Sequence, residues 1–244
     1  MQTHLDDLLA PHALTAVFQP IVRIGQGRAE VFAYEGLIRG PEGGNFHQPD
    51  VLFGYVRRRR AEDRIDRACM KTILHAARVL PSASMVSINV HAVTLVRDPG
   101  FGEAVLAEAE ANGLDAGRVI LEVVEHGSAW NEPDYQGAIA RLRRLGLRIA
   151  LDDVGSGLSN YKMILDTRPD FFKIDRYLVT GCRDDAARRT VLASIQRLAD
   201  DLGAGVVAEG VEIAEELTTL LDLGVHLLQG FLFARPQPAL AFAD

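Results

Sequence analysis

The chain has 244 residues, of which 48% are hydrophobic and 24% are charged. This composition is typical of a globular protein that can bury a large core. The formal net charge of −7 argues against a general surface for DNA or RNA polymers, but it allows a nucleotide substrate if metal ions supply positive charge.

No apolar run in the sequence approaches the length of a membrane span, and the first residues lack the basic and apolar segments of a secretory signal. Cys69 and Cys182 lie far apart with no CxxC pattern, which is typical of reduced thiols in packing roles. We therefore expect a soluble, cytoplasmic chain, and this expectation holds equally for a piece cut from a longer protein.

Short apolar strands alternate with segments of helical periodicity along the chain. Strands are predicted at residues 16–21, 30–38, 85–90, 118–124, 148–153, 171–175, 205–208 and 226–231. Helices are predicted at residues 50–80 with a break near Arg60, and at 101–112, 133–145, 160–165, 185–202 and 214–223. Glycines at 25 and 27 predict that the first two strands form an antiparallel hairpin.

Repeated strand–helix units predict a mostly parallel sheet with helical crossovers. Eight strands in this length favour an α/β fold of the TIM-like (β/α)8 type, with a modified, antiparallel first strand and one domain over residues 1–244. A doubly wound open sheet is the alternative, but it would place a ligand at a strand-order switch, and no glycine fingerprint supports that.

Polar residues stand near the C-terminal ends of seven predicted strands. In chain order they are Glu35 with Arg39, Asn89, Glu122 with Glu125, Asp152 with Asp153, Lys173 with Asp175, Glu209 with Glu212, and Gln229. In a barrel these ends converge on one mouth, where active sites lie.

The adjacent carboxylates Asp152 and Asp153 form the strongest local signal. Because side chains alternate along a strand, we expect one to point inward and the other sideways or into the loop. A single aspartate here would favour a helix cap. The polar ends of the other strands favour a metal site instead.

Carboxylate and amide oxygens without histidine or cysteine suit Mg²⁺ or Mn²⁺. Two such ions bridged by one aspartate would form a clamp for phosphodiester hydrolysis. Lys173 could orient the attacking water or steady the developing charge, and Arg39 could hold a phosphate bidentately.

These residues resemble the motifs of the EAL-domain cyclic-di-GMP phosphodiesterases, in the family's order and with similar spacing. The matching segments are Gln19-Pro20-Ile21, Glu35-Gly36-Leu37-Ile38-Arg39, Ile88-Asn89-Val90, Leu121-Glu122-Val123-Val124-Glu125, Leu151-Asp152-Asp153-Val154-Gly155-Ser156-Gly157, Lys173-Ile174-Asp175-Arg176, Ala208-Glu209-Gly210-Val211-Glu212 and Gln229-Gly230-Phe231.

The resemblance implies hydrolysis of cyclic di-GMP to linear pGpG with two Mg²⁺ or Mn²⁺ ions, in a homodimer. It implies that the first metal is bound by Glu35, Asn89, Glu122 and Asp152, with Asp152 also bridging to a second metal bound by Asp153, near Glu209. Lys173 would contact the attacking water, and Glu125 would brace the loop at 154–160. The residues implied around the substrate are Gln19, Arg39, Asp175, Glu212 and Gln229.

The sequence departs from the family pattern at a few positions. Gly36 replaces the usual Ala, and we expect the lost methyl group to loosen its strand by about 0.5–1 kcal/mol at most. His91 replaces a common Ser, and we interpret it as packing beside the site. Val154 and the loop that follows vary most, which bears on the rate and regulation of turnover.

Two other functions would fit a related chain: a receptor that binds cyclic di-GMP without cutting it, and a protein-interaction module. Degenerate members of these kinds usually lose metal-site carboxylates, which this chain keeps. The run Arg57–Arg60 is interpreted as a solvated helix face that is ion-paired with Glu62, Asp63 and Asp66.

Overall fold

The computed structural model describes residues 4–10, 12–25, 27–124, 134–155 and 161–243. Its centre is a closed eight-stranded barrel in which each strand neighbours the next in the sequence. The strands are β1 Thr15–Gly25, β2 Arg28–Arg39, β3 Met85–His91, β4 Val119–Val124, β5 Arg148–Val154, β6 Phe171–Ile174, β7 Gly205–Ala208 and β8 Leu227–Leu228.

Helices surround the barrel. They are α1 His4–Leu8, α2 Pro49–Arg59, α3 Glu62–Ala77, α4 Ala92–Arg97, α5 Phe101–Ala111, α6 Tyr135–Arg144, α7 Tyr161–Thr167, α8 Arg176–Val179, α9 Ala186–Leu202 and α10 Ala214–Asp222. None of the helices in the described part of the chain is long and apolar enough to cross a membrane.

The first strand runs against both of its neighbours, and the other pairs are parallel. The antiparallel hairpin predicted from the sequence is confirmed. Pairing of β1 with β8 closes the barrel, so the open doubly wound sheet is excluded. The register places Gln19 opposite Glu35, which brings two predicted site residues onto adjacent strands.

The predicted break near Arg60 is also confirmed. Arg60 has a φ of 53° and separates α2 from α3. The last strand is shorter than predicted, because only Leu227 and Leu228 pair with β7. The short helices α4 and α8 were not predicted, since four to six residues carry too little periodicity to show a helical pattern.

Side-chain alternation within the barrel separates an apolar floor from a polar layer above it. The interior floor is formed by Ile21, Ala33, Met85, Ile120, Ala150, Phe171, Val207 and Leu227. Two residues further along the parallel strands, side chains return to the same face. The residues found there include Glu122, Asp152 and Lys173. The apolar residues therefore fill the lower interior of the barrel, and the polar residues lie above them at its C-terminal mouth.

The strand that carries Glu35 packs closely against α3 at Gly36. A Cβ added at Gly36 would lie only 2.4 Å from Cγ2 of Ile73, and the Ile73 side chain is buried. The expected loss of packing is therefore absent, because Ile73 fills the space that an alanine methyl group would take.

We predict that Gly36→Ala destabilises the protein by about 1–3 kcal/mol, because it overpacks this contact. The same substitution made in an Ile73→Ala background should cost much less, since both clashing γ-carbons are then removed. Urea denaturation of the four members of this double-mutant cycle measures the coupling.

Gly137→Ala is the matched control, because its added methyl group would meet only ordinary contacts on the exposed face of α6. It should leave stability unchanged or raise it by up to about 1 kcal/mol through helix propensity. Equal costs of Gly36→Ala in both backgrounds would show that Ile73 does not fill this space.

Candidate active site

A single buried lysine lies at the centre of the polar layer. The Lys173 side chain on β6 is 2% exposed. Its Nζ lies near carboxylate oxygens from four other strands or strand ends, at 2.6 Å from Glu122, 2.6 Å from Glu209, 3.4 Å from Asp152 and 3.5 Å from Glu35. We call Lys173 and these four carboxylates the Lys173 cluster.

Amide side chains hold the Glu35 carboxylate in place. Asn89 donates a hydrogen bond from Nδ2 to Oε1 of Glu35 at 2.9 Å, and Gln229 donates from Nε2 to Oε2 at 2.7 Å. Gln229 also donates to Gln19 at 3.2 Å, and Gln19 donates to the carbonyl of Ala234 at 3.0 Å. Glu35 is therefore held by two amides, one on β3 and one just after β8, and the second amide is linked in turn to β1.

The end of β5 departs from regular strand geometry at the aspartate pair. The β5–β6 register shifts between Leu151 and Val154, and Asp153 has a φ of 55°. Such a left-handed backbone is strained for a residue other than glycine, and bulges often re-aim side chains beside active sites. As a result, carboxylate oxygens of Asp152, Asp153 and Glu209 lie within 4.8 Å of one another. This closeness fits the expectation that the pair can share or bridge metal ions.

The cluster contains more negative charge than Lys173 can balance. Burial and the charge of Glu35 raise the pKa of Glu122 to about 8, despite the opposing effect of Lys173. Burial and the neighbouring Asp152 raise the pKa of Asp153 to about 6. Burial also raises the pKa of Glu209 well above its ordinary value.

The pKa shifts of Lys173 and Glu35 instead favour the charged form of each side chain. Burial lowers the pKa of Lys173, but the surrounding carboxylates outweigh it and hold that pKa well above its ordinary value. Burial raises the pKa of Glu35, but the charge of Lys173 and the Gln229 and Asn89 amides leave it below its ordinary value. A charged lysine is thus surrounded by carboxylates, some of which retain protons at neutral pH.

The donor atoms of this site are suited to divalent cations. The donors are carboxylate oxygens and one amide, which suit hard cations such as Mg²⁺ or Mn²⁺. Three of the carboxylates already lie close enough together to share an ion. Added positive charge would also remove the repulsion that raises the pKa values of Glu122 and Asp153.

Two clefts open from the cluster. The first has a volume of about 230 Å³ and is lined by Gln19, Glu35, Asp152, Lys173, Asp175, Arg176, Glu209, Glu212, Gln229 and Phe231. The second, which we call the α2 cleft, has a volume of about 240 Å³ and is lined by Arg39, Asp50, Phe53, Arg57, Asn89, His91 and Asp152. The cluster therefore lies where the two clefts meet.

Most of the predicted site residues line these clefts, but their local roles differ. Asp175 caps α8 by accepting a hydrogen bond from the Tyr177 amide at 2.8 Å. Glu212 is exposed and lies 3.9 Å from Arg176. Within the described chain no ion pair joins Arg39 to Glu35, and Arg39 instead lines the α2 cleft.

The structure places His91 but does not describe Glu125. His91 lies 2.8 Å from Asp66 through Nδ1, so it packs beside the site as expected. Glu125 and residues 156–160 lie outside the described residues.

Sequence reasoning missed several residues that line the clefts. Arg176 and Phe231 line the first, and Phe231 is half-exposed beneath the guanidinium of Arg235. Phe53 and Arg57 line the second. For Phe53 and Arg57 the signal was available, because they are four residues apart and so share one helix face.

The chain belongs to the EAL domain family, whose model matches residues 3–236. Among its relatives, the "Probable cyclic di-GMP phosphodiesterase PdeD" of Escherichia coli (strain K12) is 30% identical over 233 residues, which is 94% of this chain and 43% of that protein. The "Cyclic di-GMP phosphodiesterase PdeL" of the same strain is 31% identical over 164 residues, covering 67% of this chain and 45% of that protein. The chain thus spans less than half the length of either relative.

A solved structure of similar fold carries both a metal and the nucleotide. The Klebsiella pneumoniae BlrP1 manganese/cy-diGMP complex at pH 6 is 31% identical and superposes with a TM-score of 0.82, covering 94% of this chain and 57% of that one. The barrel with an antiparallel first strand is therefore the family fold.

We predict that Lys173→Met destabilises the metal-free protein by about 3–5 kcal/mol at pH 8, because it leaves buried carboxylates without their cation. The cost should be smaller at pH 5, where those carboxylates can bind protons instead of remaining charged. Urea denaturation in the presence of a chelator, at both pH values, measures the difference.

The matched control is Lys162→Met, which removes a lysine that is 55% exposed and paired with Asp166. It should cost less than about 1 kcal/mol at either pH. An equal loss of stability for Lys173→Met at pH 5 and pH 8 would mean that carboxylate charge is not what Lys173 compensates.

Proposed function

We propose that this chain is a metal-dependent phosphodiesterase that hydrolyses cyclic di-GMP to linear pGpG. The observation that carries the proposal is the convergence of five carboxylates on one lysine-centred mouth of an EAL-family barrel. They are Glu35, Glu122, Asp152, Asp153 and Glu209. The names of the relatives and the nucleotide bound to BlrP1 support the choice of substrate.

Two Mg²⁺ or Mn²⁺ ions would be held by this set. Glu35, Asn89, Glu122 and Asp152 would bind the first, and Asp153 would bind the second with Glu209 nearby. Asp152 would bridge the two, which the bulge at the end of β5 favours because it brings Asp152 and Asp153 together. When bound, these ions would polarise the phosphodiester and ease loss of a proton from the attacking water.

The protein's own residues supply position and charge. The buried ammonium of Lys173 can donate a hydrogen bond to the attacking water or to a phosphate oxygen, since it is held charged by the carboxylates around it. Arg39, which lines the α2 cleft, can hold a phosphate there. The substrate would also contact Gln19, Asp175, Glu212 and Gln229.

The proposal also covers the loop after β5, the domain, the assembly and the location of the protein. We place Glu125 as a brace for the 154–160 loop, and residues 1–244 as one catalytic domain. A homodimer is supported by the exposed Tyr161 and Leu165 side chains, which share one face of α7. A cytoplasmic location is supported by the two buried, free cysteines.

The direct test is to incubate the folded, metal-loaded protein with cyclic di-GMP and Mg²⁺ or Mn²⁺, and to follow linear pGpG by chromatography. Accumulation of pGpG is the expected result. The enzyme proposal fails if pure protein makes no product, and tight binding without product would instead identify a receptor.

We predict that Asp152→Ala lowers the hydrolysis rate by more than about a hundredfold, because it removes the proposed bridging ligand. Asp184→Asn is the control, since that carboxylate is 86% exposed and lies 3.6 Å from Arg183. It should retain the rate of the unsubstituted protein. A near-normal rate for Asp152→Ala, with the fold intact by circular dichroism, would refute the metal assignment.

A further inference from the structure

One face of α2 presents three side chains to the α2 cleft. Asp50, Phe53 and Arg57 are spaced by three and four residues, so they lie on the same side of the helix. All three line the cleft. The helix therefore presents a carboxylate, an aromatic ring and a guanidinium along one wall of a cavity of about 240 Å³.

Arg57 is not engaged in the ion pairs predicted from the sequence. Glu62 lies 3.3 Å from Arg97 instead. Asp66 accepts hydrogen bonds from Thr94 and from the His91 backbone, and it also lies against the His91 ring. Among the residues that the structure describes, the Arg57 guanidinium has no hydrogen bond or ion pair. A half-buried arginine of this kind is available to a ligand.

The α2 cleft reaches the Lys173 cluster through a shared lining residue. Arg39, Asn89 and Asp152 line the α2 cleft, and Asp152, a member of the cluster, also lines the first cleft. A nucleotide whose phosphate is held by Arg39 can therefore extend its base along α2. Phe53 lies between Asp50 and Arg57 in the sequence of α2, and its ring lies 5.8 Å from that of His91.

From this arrangement, and resting on the proposed function, we propose that Arg57 is a specificity-determining residue that binds the O6 and N7 atoms of one guanine of the substrate. A guanidinium fork matches these two acceptors bidentately, and the adjacent Phe53 ring can contact the face of the base. Adenine offers N7 together with an amino donor at the same edge, so the fork cannot make both bonds to it.

A phosphate group would fit beside Arg57 less well than a guanine base does. Asp50 lines the same wall, and its negative charge disfavours an anion there. Guanine carries donors on one edge and acceptors on another, so a wall that holds both a carboxylate and a guanidinium complements it. The combination therefore favours a guanine base over a phosphate.

The test compares Arg57→Met with Arg58→Met, its exposed neighbour on the same helix. Affinity is measured by calorimetry for cyclic di-GMP and for its analogue with 7-deazaguanine in both positions, which lacks N7. The unsubstituted protein should bind the analogue about threefold more weakly than cyclic di-GMP, because the analogue keeps O6 and loses only one of the two bonds. Arg57→Met should bind cyclic di-GMP about tenfold more weakly and should discriminate little between the two ligands. Arg58→Met should behave as the unsubstituted protein.

Steady-state kinetics add a second readout. Arg57→Met should raise KM about tenfold with kcat within about twofold, because the base contact is equal in ground and transition states. An equal loss of affinity for both ligands in Arg57→Met would overturn the proposal in favour of a phosphate contact. Unchanged affinity would overturn it altogether.

The design separates this proposal from the proposed function. If the unsubstituted protein binds cyclic di-GMP without cutting it, hydrolysis is refuted while the affinities still decide the role of Arg57. If it does not bind cyclic di-GMP, both proposals are overturned. Thermal denaturation of each variant shows whether the fold is intact.

Discussion

The buried ammonium of Lys173 is the interaction on which the rest of the site depends. It is the shared neighbour of Glu35, Glu122, Asp152 and Glu209, which would otherwise repel one another in a region with little water. One positive charge cannot balance four carboxylates. Burial, together with the neighbouring carboxylates, raises the pKa values of Glu122 and Glu209, and the excess negative charge makes the site ready to accept further cations.

The barrel produces this arrangement through the two-residue period of its strands. A floor of apolar side chains fills the lower interior, and the next inward-facing residues are the polar ones. At the bulge that ends β5, carboxylate oxygens of Asp152 and Asp153 lie within 4.8 Å of each other. The regular strands thus position most of the proposed metal ligands, and the bulge positions Asp153.

Much of this was predictable from the sequence, because strand ends with polar residues and their spacing are local patterns. The barrel, the first hairpin and the convergence of Glu35, Asn89 and Lys173 follow from such patterns. The bulge, the packing of Ile73 against Gly36, and the partners of Asp66 were not predictable. Each depends on how elements distant in the sequence approach one another, and neither periodicity nor residue type encodes that approach.

The central claim is that the acidic mouth is built to receive divalent cations. Calorimetric titration of Mn²⁺ at pH 7, in buffers of different ionisation enthalpy, tests it directly because it counts the protons released on binding. Glu122, with a pKa of about 8, holds a proton in the metal-free protein and must lose it to become a ligand. We predict saturable binding accompanied by proton release, because the pKa values of Glu122 and Glu209 are both raised in the metal-free protein. Binding without proton release, or no binding of Mn²⁺, would contradict it.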